Sequence, residues 1–264
     1  MMPSVSTMSP AEAREMIRNN EWMKPTAGVA NGYTQANLVV LPKELAFEFL
    51  LFCQRNPKPC PVLDVTEPGS WVPTLVAPEA DLRVDLPKYR IYRNGELTEE
   101  RTDILDLWDE SMVGFLIGCS FTFEYALINN GIPVRHIEEN CNVPMYKTNI
   151  PCVKAGRFEG SMVVSMRPIP EKDVVRAVQV TSRFPSVHGA PIHIGNPNRI
   201  GIKDIHKPDF GDPVTIREGE IPVFWACGVT PQAVAMLVKS EIMITHAPGH
   251  MFITDLRDEQ FGVL

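Results

Sequence analysis

The sequence predicts an α/β protein: a layered αβα core domain with a smaller inserted α+β domain. Three observations lead there. The run QANLVVLP passes directly into KELAFEFLLFCQRN, where apolar residues recur at helical spacing. Two later apolar runs, SMVGFLIG and IPVFWA, each end at a Gly/Cys turn and give way to an amphipathic stretch. Between them, residues 184–216 alternate short apolar runs with Gly and Pro, the texture of turns and short strands. The core domain is therefore expected at 1–131 plus 219–264, and the inserted domain at 132–218.

Taken in order, Ser9-Pro10 followed by AEAREMIRNN predicts a capped helix, with proline at its first position. QANLVVLP and KELAFEFLLFCQRN form a strand-to-helix unit. The proline-dense NPKPCPVLDVTEPGSWVP holds one short strand at Val62 to Val65. SMVGFLIGCSFTFEYALINNG reads as strand, turn at Gly118-Cys119-Ser120, and helix closed by Gly131. GSMVVSMRP is a strand and EKDVVRAVQVTSRF a helix. In IPVFWACGVTPQAVAMLVKS the strand ends at Cys227-Gly228, with Thr230 as helix cap and Pro231 in the first turn. Near the end, THAPGHMFITD gathers His246, His250 and Asp255 around Pro248-Gly249, a pair that breaks any regular element.

Composition excludes several classes. A net charge of −7 over 264 residues lacks the basic stripe that a phosphate backbone recruits, so no nucleic-acid partner is expected. No apolar run approaches the roughly 20 residues that span a bilayer, and the N-terminal segment has no apolar signal-peptide core, so a cytoplasmic protein without a membrane partner is expected. Six cysteines without CxxC spacing read as reduced thiols. Trp71, Trp108 and Trp225, with apolar loops, suit a homo-oligomer.

The chemistry-bearing residues support three readings. His246-x3-His250 with Asp255, or His188-x4-His193, offers ligands that zinc or iron accepts, although Pro248-Gly249 removes the helix that would align the first pair. Cys119 or Cys227 at a helix start could act as a thiolate nucleophile. The third reading is acid-base chemistry on a small carboxylate, held by arginine forks and helix N-termini.

The ordered blocks GFLIGCSFTFE, RHIEENCNVPMYKTNIPC, GRFEGSMVVSMRP, RFPSVHGAPIHIG, GDPVTIREGEIPVFWACGVTPQ and ITHAPGHMFITD closely resemble the D-glutamate cyclase family, and the resemblance runs over nearly the whole chain. It implies a two-unit α/β fold and a hydro-lyase activity, conversion of D-glutamate to 5-oxo-D-proline with loss of water. It assigns no catalytic residue, so the candidates rest on chemistry and motif membership. The catalytic set is His246, His250, Asp255, His188, Glu124, Cys119 and Cys227, with a histidine expected to take the amine proton. The substrate-binding set is Arg157, Arg183, Ser120, Gly228, Thr230 and His193, with the arginines as carboxylate clamps and the turn amides as an oxyanion site. No metal and no cofactor are expected. The alternatives left open are a metal-dependent dehydratase of another small hydroxy acid and a non-catalytic carboxylate-binding protein.

Overall fold

The computed structural model describes residues 5–263; the first four residues of the N-terminal segment and Leu264 lie outside the described residues. Ser9 caps α1 (Pro10–Arg18): the Glu12 amide donates to its Oγ at 3.3 Å, and the Ser9 amide donates to Glu12 Oε2 at 2.8 Å. This reciprocal pair satisfies two amides that the helix start would leave unpaired. β1 (Tyr33–Pro42), α2 (Lys43–Arg55) and β2 (Val62–Val65) follow where their apolar patterns place them. A hairpin of β3 (Tyr89–Arg93) and β4 (Glu96–Arg101) turns on Asn94-Gly95, both at positive φ. The periodicity reading passes over it, because ELTEER carries a single apolar residue.

β5 (Met112–Gly118) leads through Cys119-Ser120 into α3 (Phe121–Asn129), followed by the short α4 (Arg135–Glu138). Then come β6 (Met145–Pro151), β7 (Ser161–Pro170), α5 (Val174–Ser182) and β8 (His193–Ile194). β9 (Glu220–Ala226), α6 (Val229–Leu237), β10 (Met243–His246) and β11 (Phe252–Arg257) complete the order. Strands and helices are interspersed as an α/β chain requires, and all the strand pairings are antiparallel.

A seven-stranded sheet runs β2-β5-β1-β10-β3-β4, with β11 also pairing β1, and a four-stranded sheet runs β6-β7-β9-β8. β1 is the axis of the first. Its Val39 and Leu41 pack with Phe49 and Phe52 of α2, while Leu38 and Val40 face Val76, Leu82 and Ile104 in the turn-rich stretch on the other side. Each of these phenylalanines, fully buried, contributes on the order of 1.5–3 kcal/mol. β9 departs from expectation: placed with the segment beginning at 219, it instead pairs with β7, from Val164↔Ala226 to Pro170↔Glu220. Trp225 and Val223 pack on α3 and α5, and Phe224 packs on Tyr146 and Met166. A strand buried on both faces reads as one apolar run, with nothing to say which sheet it joins.

The helices after the two Gly/Cys turns exchange sides. α3 leaves the first sheet and lays Phe123 and Leu127 against Trp225 of the second. α6 leaves the second and lays Val234 and Ala235 into the core of the first. This exchange brings both turns to the seam between the sheets.

Candidate functional site

A gap in strand pairing opens the site. β1 pairs with β11 at Gln35 and Ala36 and with β10 at Val39 and Val40, so the Leu38 amide falls between the two partners. Pro248-Gly249, with Gly249 at φ +77, turns the chain out after His246 and returns it at Phe252. His246 fills the gap: the Leu38 amide donates to its Nδ1 at 3.1 Å, and Gln232 Nε2 of α6 lies 2.7 Å from the same nitrogen. The Leu38 carbonyl stands farther from Nδ1, at 3.4 Å; a backbone amide can only donate, so Nδ1 accepts from the nearer amide and the neutral ring carries its proton on Nε2. Burial pushes the ring down to about 4, which keeps it neutral at physiological pH. A neutral ring whose Nδ1 is already hydrogen-bonded works against the base role that the sequence suggests for His246.

Around it lies a cavity of about 70 Å³, lined by Cys119 and Ser120 of one turn, Cys227 of the other, and Asn37, Gln232 and His246. A single water needs roughly 10–15 Å³ on such a measure, so the space suits a ligand group worth about five waters. α3 and α6 both begin at its wall, and the positive dipole ends of the two helices favour a carboxylate. Burial pushes the Cys119 thiol up to about 12 and the Cys227 thiol up to about 11, with the amides of Phe121 and Val229 offsetting part of the rise. Both are neutral thiols, which works against the nucleophile reading. Gly228 is needed for close approach: a Cβ there would lie 2.1 Å from Asn37 Nδ2.

Arg167 of β7 pins the first turn from behind. It is fully buried between the rings of Phe123 and Trp225, 5.1 and 5.4 Å from their centroids. It donates to Ser120 Oγ at 2.9 Å, to Ser165 Oγ at 3.0 Å and to Glu124 Oε1 through Nε at 3.0 Å. Glu124 also faces His136 Nε2 at 3.3 Å. Burial alone would raise the Glu124 carboxyl, but His136 and Arg167 outweigh it and hold the group at about 2.

A larger cavity of about 710 Å³ adjoins the first, sharing Phe121, and is lined by Glu124, His136, Gln35, Tyr125 and Asp258. The Pro-Gly turn meets Asn142 at the boundary, where a Cβ on Gly249 would stand 2.9 Å from Asn142 Oδ1. Burial raises the Asp258 carboxyl to about 6, although the Thr34 hydroxyl donates to it at 2.9 Å.

Of the thirteen residues expected from the sequence, the smaller cavity brings together His246, Cys119, Ser120 and Cys227, with Gly228 behind Asn37; Glu124 lines the larger one. The others lie elsewhere. His250 turns back to the Pro248 carbonyl at 2.9 Å, and Asp255 pairs with Arg14 at 2.9 Å. His193 Nε2 reaches the Asn196 carbonyl, and Thr230 is no helix cap: helix α6 begins at Val229 and the Thr230 hydroxyl serves the backbone of Val163. Arg157 is held by Glu48 and Arg183 by the Val263 carbonyl, so neither clamps a carboxylate at the cavities. His188 is buried in the left-handed region at φ +82, its Nδ1 2.9 Å from the Lys58 carbonyl and its Nε2 without a hydrogen-bond partner. The two ligand sets of the metal reading are thus dispersed. Asn37, Gln232, Arg167, His136 and Asp258 escaped the candidate list; Asn37 and Gln232 sit inside the quoted blocks QANLVVLP and GVTPQ, whereas Asp258 sits in an ordinary acidic stretch, DLRDEQ.

These groups set an acid limit on stability. His188 and His246 are both pushed from 6.5 down to about 4 by burial. As pH falls below 6.5 the unfolded chain takes up protons that the folded chain refuses, so each costs about 1.4 kcal/mol per pH unit until about pH 4. Asp258, raised from 3.8, does the opposite between about 6 and 3.8. His188 and His246 against Asp258 leave a net fall of about 1.4 kcal/mol per unit between pH 6 and 4.5, and His250, also held down by burial, acts in the same direction. Urea melts at pH 6, 5.5 and 5 should show this slope, and a flat profile would mean that the histidines take up protons in the fold.

The chain matches the family described as D-glutamate cyclase over residues 113–255. It is 88% identical over 263 residues to a Geobacillus kaustophilus protein, covering 100% of each chain. Identity to a Bacillus subtilis (strain 168) protein is 70% over 257 residues, covering 97% of this chain and 100% of that one. A Stutzerimonas stutzeri protein is 68% identical over 257 residues, covering 97% of both. All three carry the name "Putative hydro-lyase".

Proposed function

The chain belongs to the D-glutamate cyclase family, and on that premise we propose that it is a hydro-lyase acting on a small amino or carboxylic acid, with ring closure of D-glutamate to 5-oxo-D-proline and water as its reaction. The observation that carries the proposal is the meeting of two helix starts and a buried, neutral His246 on one small cavity.

Ring closure joins the amine nitrogen to the γ-carboxyl carbon and expels one carboxyl oxygen as water. Charge builds on the carboxyl oxygens as the tetrahedral centre forms. The dipole ends of α3 and α6 stabilise that charge, and the His246 Nε2–H stabilises the departing oxygen by a hydrogen bond without giving up its proton. Gln232 and the Leu38 amide hold the ring in this tautomer, so their effect on the reaction runs through His246. A route through a thioester at Cys119 or Cys227 fits less well, because both thiols are protonated and a free carboxylate needs activation before it can form one.

The test is to incubate the purified protein with D-glutamate and with L-glutamate and follow 5-oxoproline by chiral chromatography. Product from D-glutamate is expected, and His246→Ala should lower kcat by about 10²–10³-fold, the typical cost of losing one such donor. Absence of product from either enantiomer would discard this substrate. A thermal shift with D-glutamate but no turnover would recast the protein as a carboxylate binder.

A further inference from the structure

We propose that Asp258 binds the ammonium group of an amino-acid substrate and accepts its proton, with the larger cavity taking the amino end and the smaller cavity the carboxyl end. The proton-accepting role rests on the hydro-lyase reading above; the ammonium site rests on the cavity alone.

Asp258 is 7% exposed and lines the 710 Å³ cavity, a volume within the ordinary range of roughly 300–1,000 Å³ for ligand sites. Its bonding sets it apart from the other buried acids. Asp85 pairs with Arg18, Glu124 with Arg167, and Asp173 lies 3.9 Å from Arg176, while Asp64 accepts from the amides of Val65 and Leu75. Among the described residues Asp258 has no ion pair; the Thr34 hydroxyl donates to its Oδ1 at 2.9 Å, and the Thr122 hydroxyl also favours its ionised form. A buried carboxylate without a cation is costly, and an ammonium ligand would remove the cost.

The rest of the cavity agrees. Its wall also carries Glu124, already neutralised by Arg167, and Asp212, with His136 and Lys24 as the basic groups; Glu259 adjoins Asp258 in sequence. Phe121 and Tyr125 supply apolar and aromatic wall. Trp22 also lines it, and its Nε1–H is buried without a hydrogen-bond partner, a donor left for an acceptor on the ligand.

The chemistry needs such a group. The ammonium loses two protons in all and the departing carboxyl oxygen gains two, so water leaves with no net change in protons. Asp258 takes the first proton, freeing the nitrogen lone pair that forms the C–N bond, and passes it to the departing oxygen; it then takes the second proton from the ring nitrogen and passes that to the same oxygen as the C–O bond breaks, so water leaves and Asp258 ends ionised as it began. His246 is less suited to this role, since its Nδ1 is already hydrogen-bonded and burial disfavours its charged form. Burial holds the Asp258 carboxyl near the pH at which it can both take and return a proton.

Asp258→Asn keeps an acceptor for Thr34 while removing the charge. At pH 8 the variant should melt at or above the wild-type temperature, with the difference shrinking at pH 5; a structural carboxylate would instead give a lower Tm at both. Calorimetry with D-glutamate and with glutarate, which lacks the amine, should show wild type preferring D-glutamate by tenfold or more and the variant binding both alike. A variant that keeps the preference, or a wild type that shows none, overturns the proposal. Should wild type prefer D-glutamate through Asp258 yet form no 5-oxoproline, the reaction reading falls and the ammonium site stands. Where turnover occurs, Asp258→Asn should lower kcat by about 100-fold or more.

Discussion

Replacing Glu124 with alanine is expected to cost about 3–5 kcal/mol of stability, the range found when one partner of a buried ion pair is removed. Its partner Arg167 has no exposed surface and sits against two aromatic rings, so its charge is left without a compensating carboxylate and with water only from the side of the larger cavity. Ser120 and Ser165 hydroxyls would remain as acceptors, but neither carries a compensating charge. Urea denaturation measures the loss. A double variant, Glu124→Ala with Arg167→Met, should recover part of it, because the orphaned charge goes with the arginine. A single-variant loss below 1 kcal/mol would mean that the two serines suffice. The double variant should still turn over poorly, since Ser120 would no longer be fixed at the mouth of α3.

Gly228→Ala is expected to disable the smaller cavity through a contact and not through backbone strain. Gly228 has φ −64, open to any residue, yet an added Cβ would stand 2.1 Å from Asn37 Nδ2 and 2.7 Å from its Cγ. Asn37 is buried and cannot swing away freely, because its Nδ2 donates to the carbonyls of Ile117 at 3.2 Å and Gly118 at 3.0 Å. Displacing it leaves these acceptors short, at about 1–3 kcal/mol, and pushes apart the strand end and helix start that shape the cavity. Turnover should fall by at least about 10²-fold, as a shift of about 1 Å in a site can cost that much. Adding Asn37→Ala to Gly228→Ala restores space, so stability should partly return. Wild-type rates in the single variant would show that Asn37 and the turn at Cys227 do not shape the reacting site.

Much of this was legible in the chain. The capping box at Ser9, the strand limits of Val62–Val65, the turns after Gly118 and Ala226 and the break at Pro248-Gly249 all follow from signals spanning fewer than about ten residues. Six ordered blocks also pointed to the family. The candidate site was legible only in part, because a histidine or arginine in a Gly/Pro-rich loop looks the same whether it faces a cavity or a carbonyl. His250 and Arg183 face carbonyls, whereas His246, four residues before His250, fills a gap in the sheet.

By itself the sequence determined where β1, β2, β5, β7 and β9 and the helices α1, α2, α3, α5 and α6 lie, because hydrophobic period, caps and turn residues act on the local backbone. Only the tertiary structure decided that β9 joins the second sheet, that α3 and α6 exchange sides, and that His246 carries its proton on Nε2 while Asp258 lies buried without a cation. Strand pairing, tautomer and proton affinity depend on which distant groups meet and how much water they exclude. For His246 that distant group is the Leu38 amide, 208 residues away in the chain.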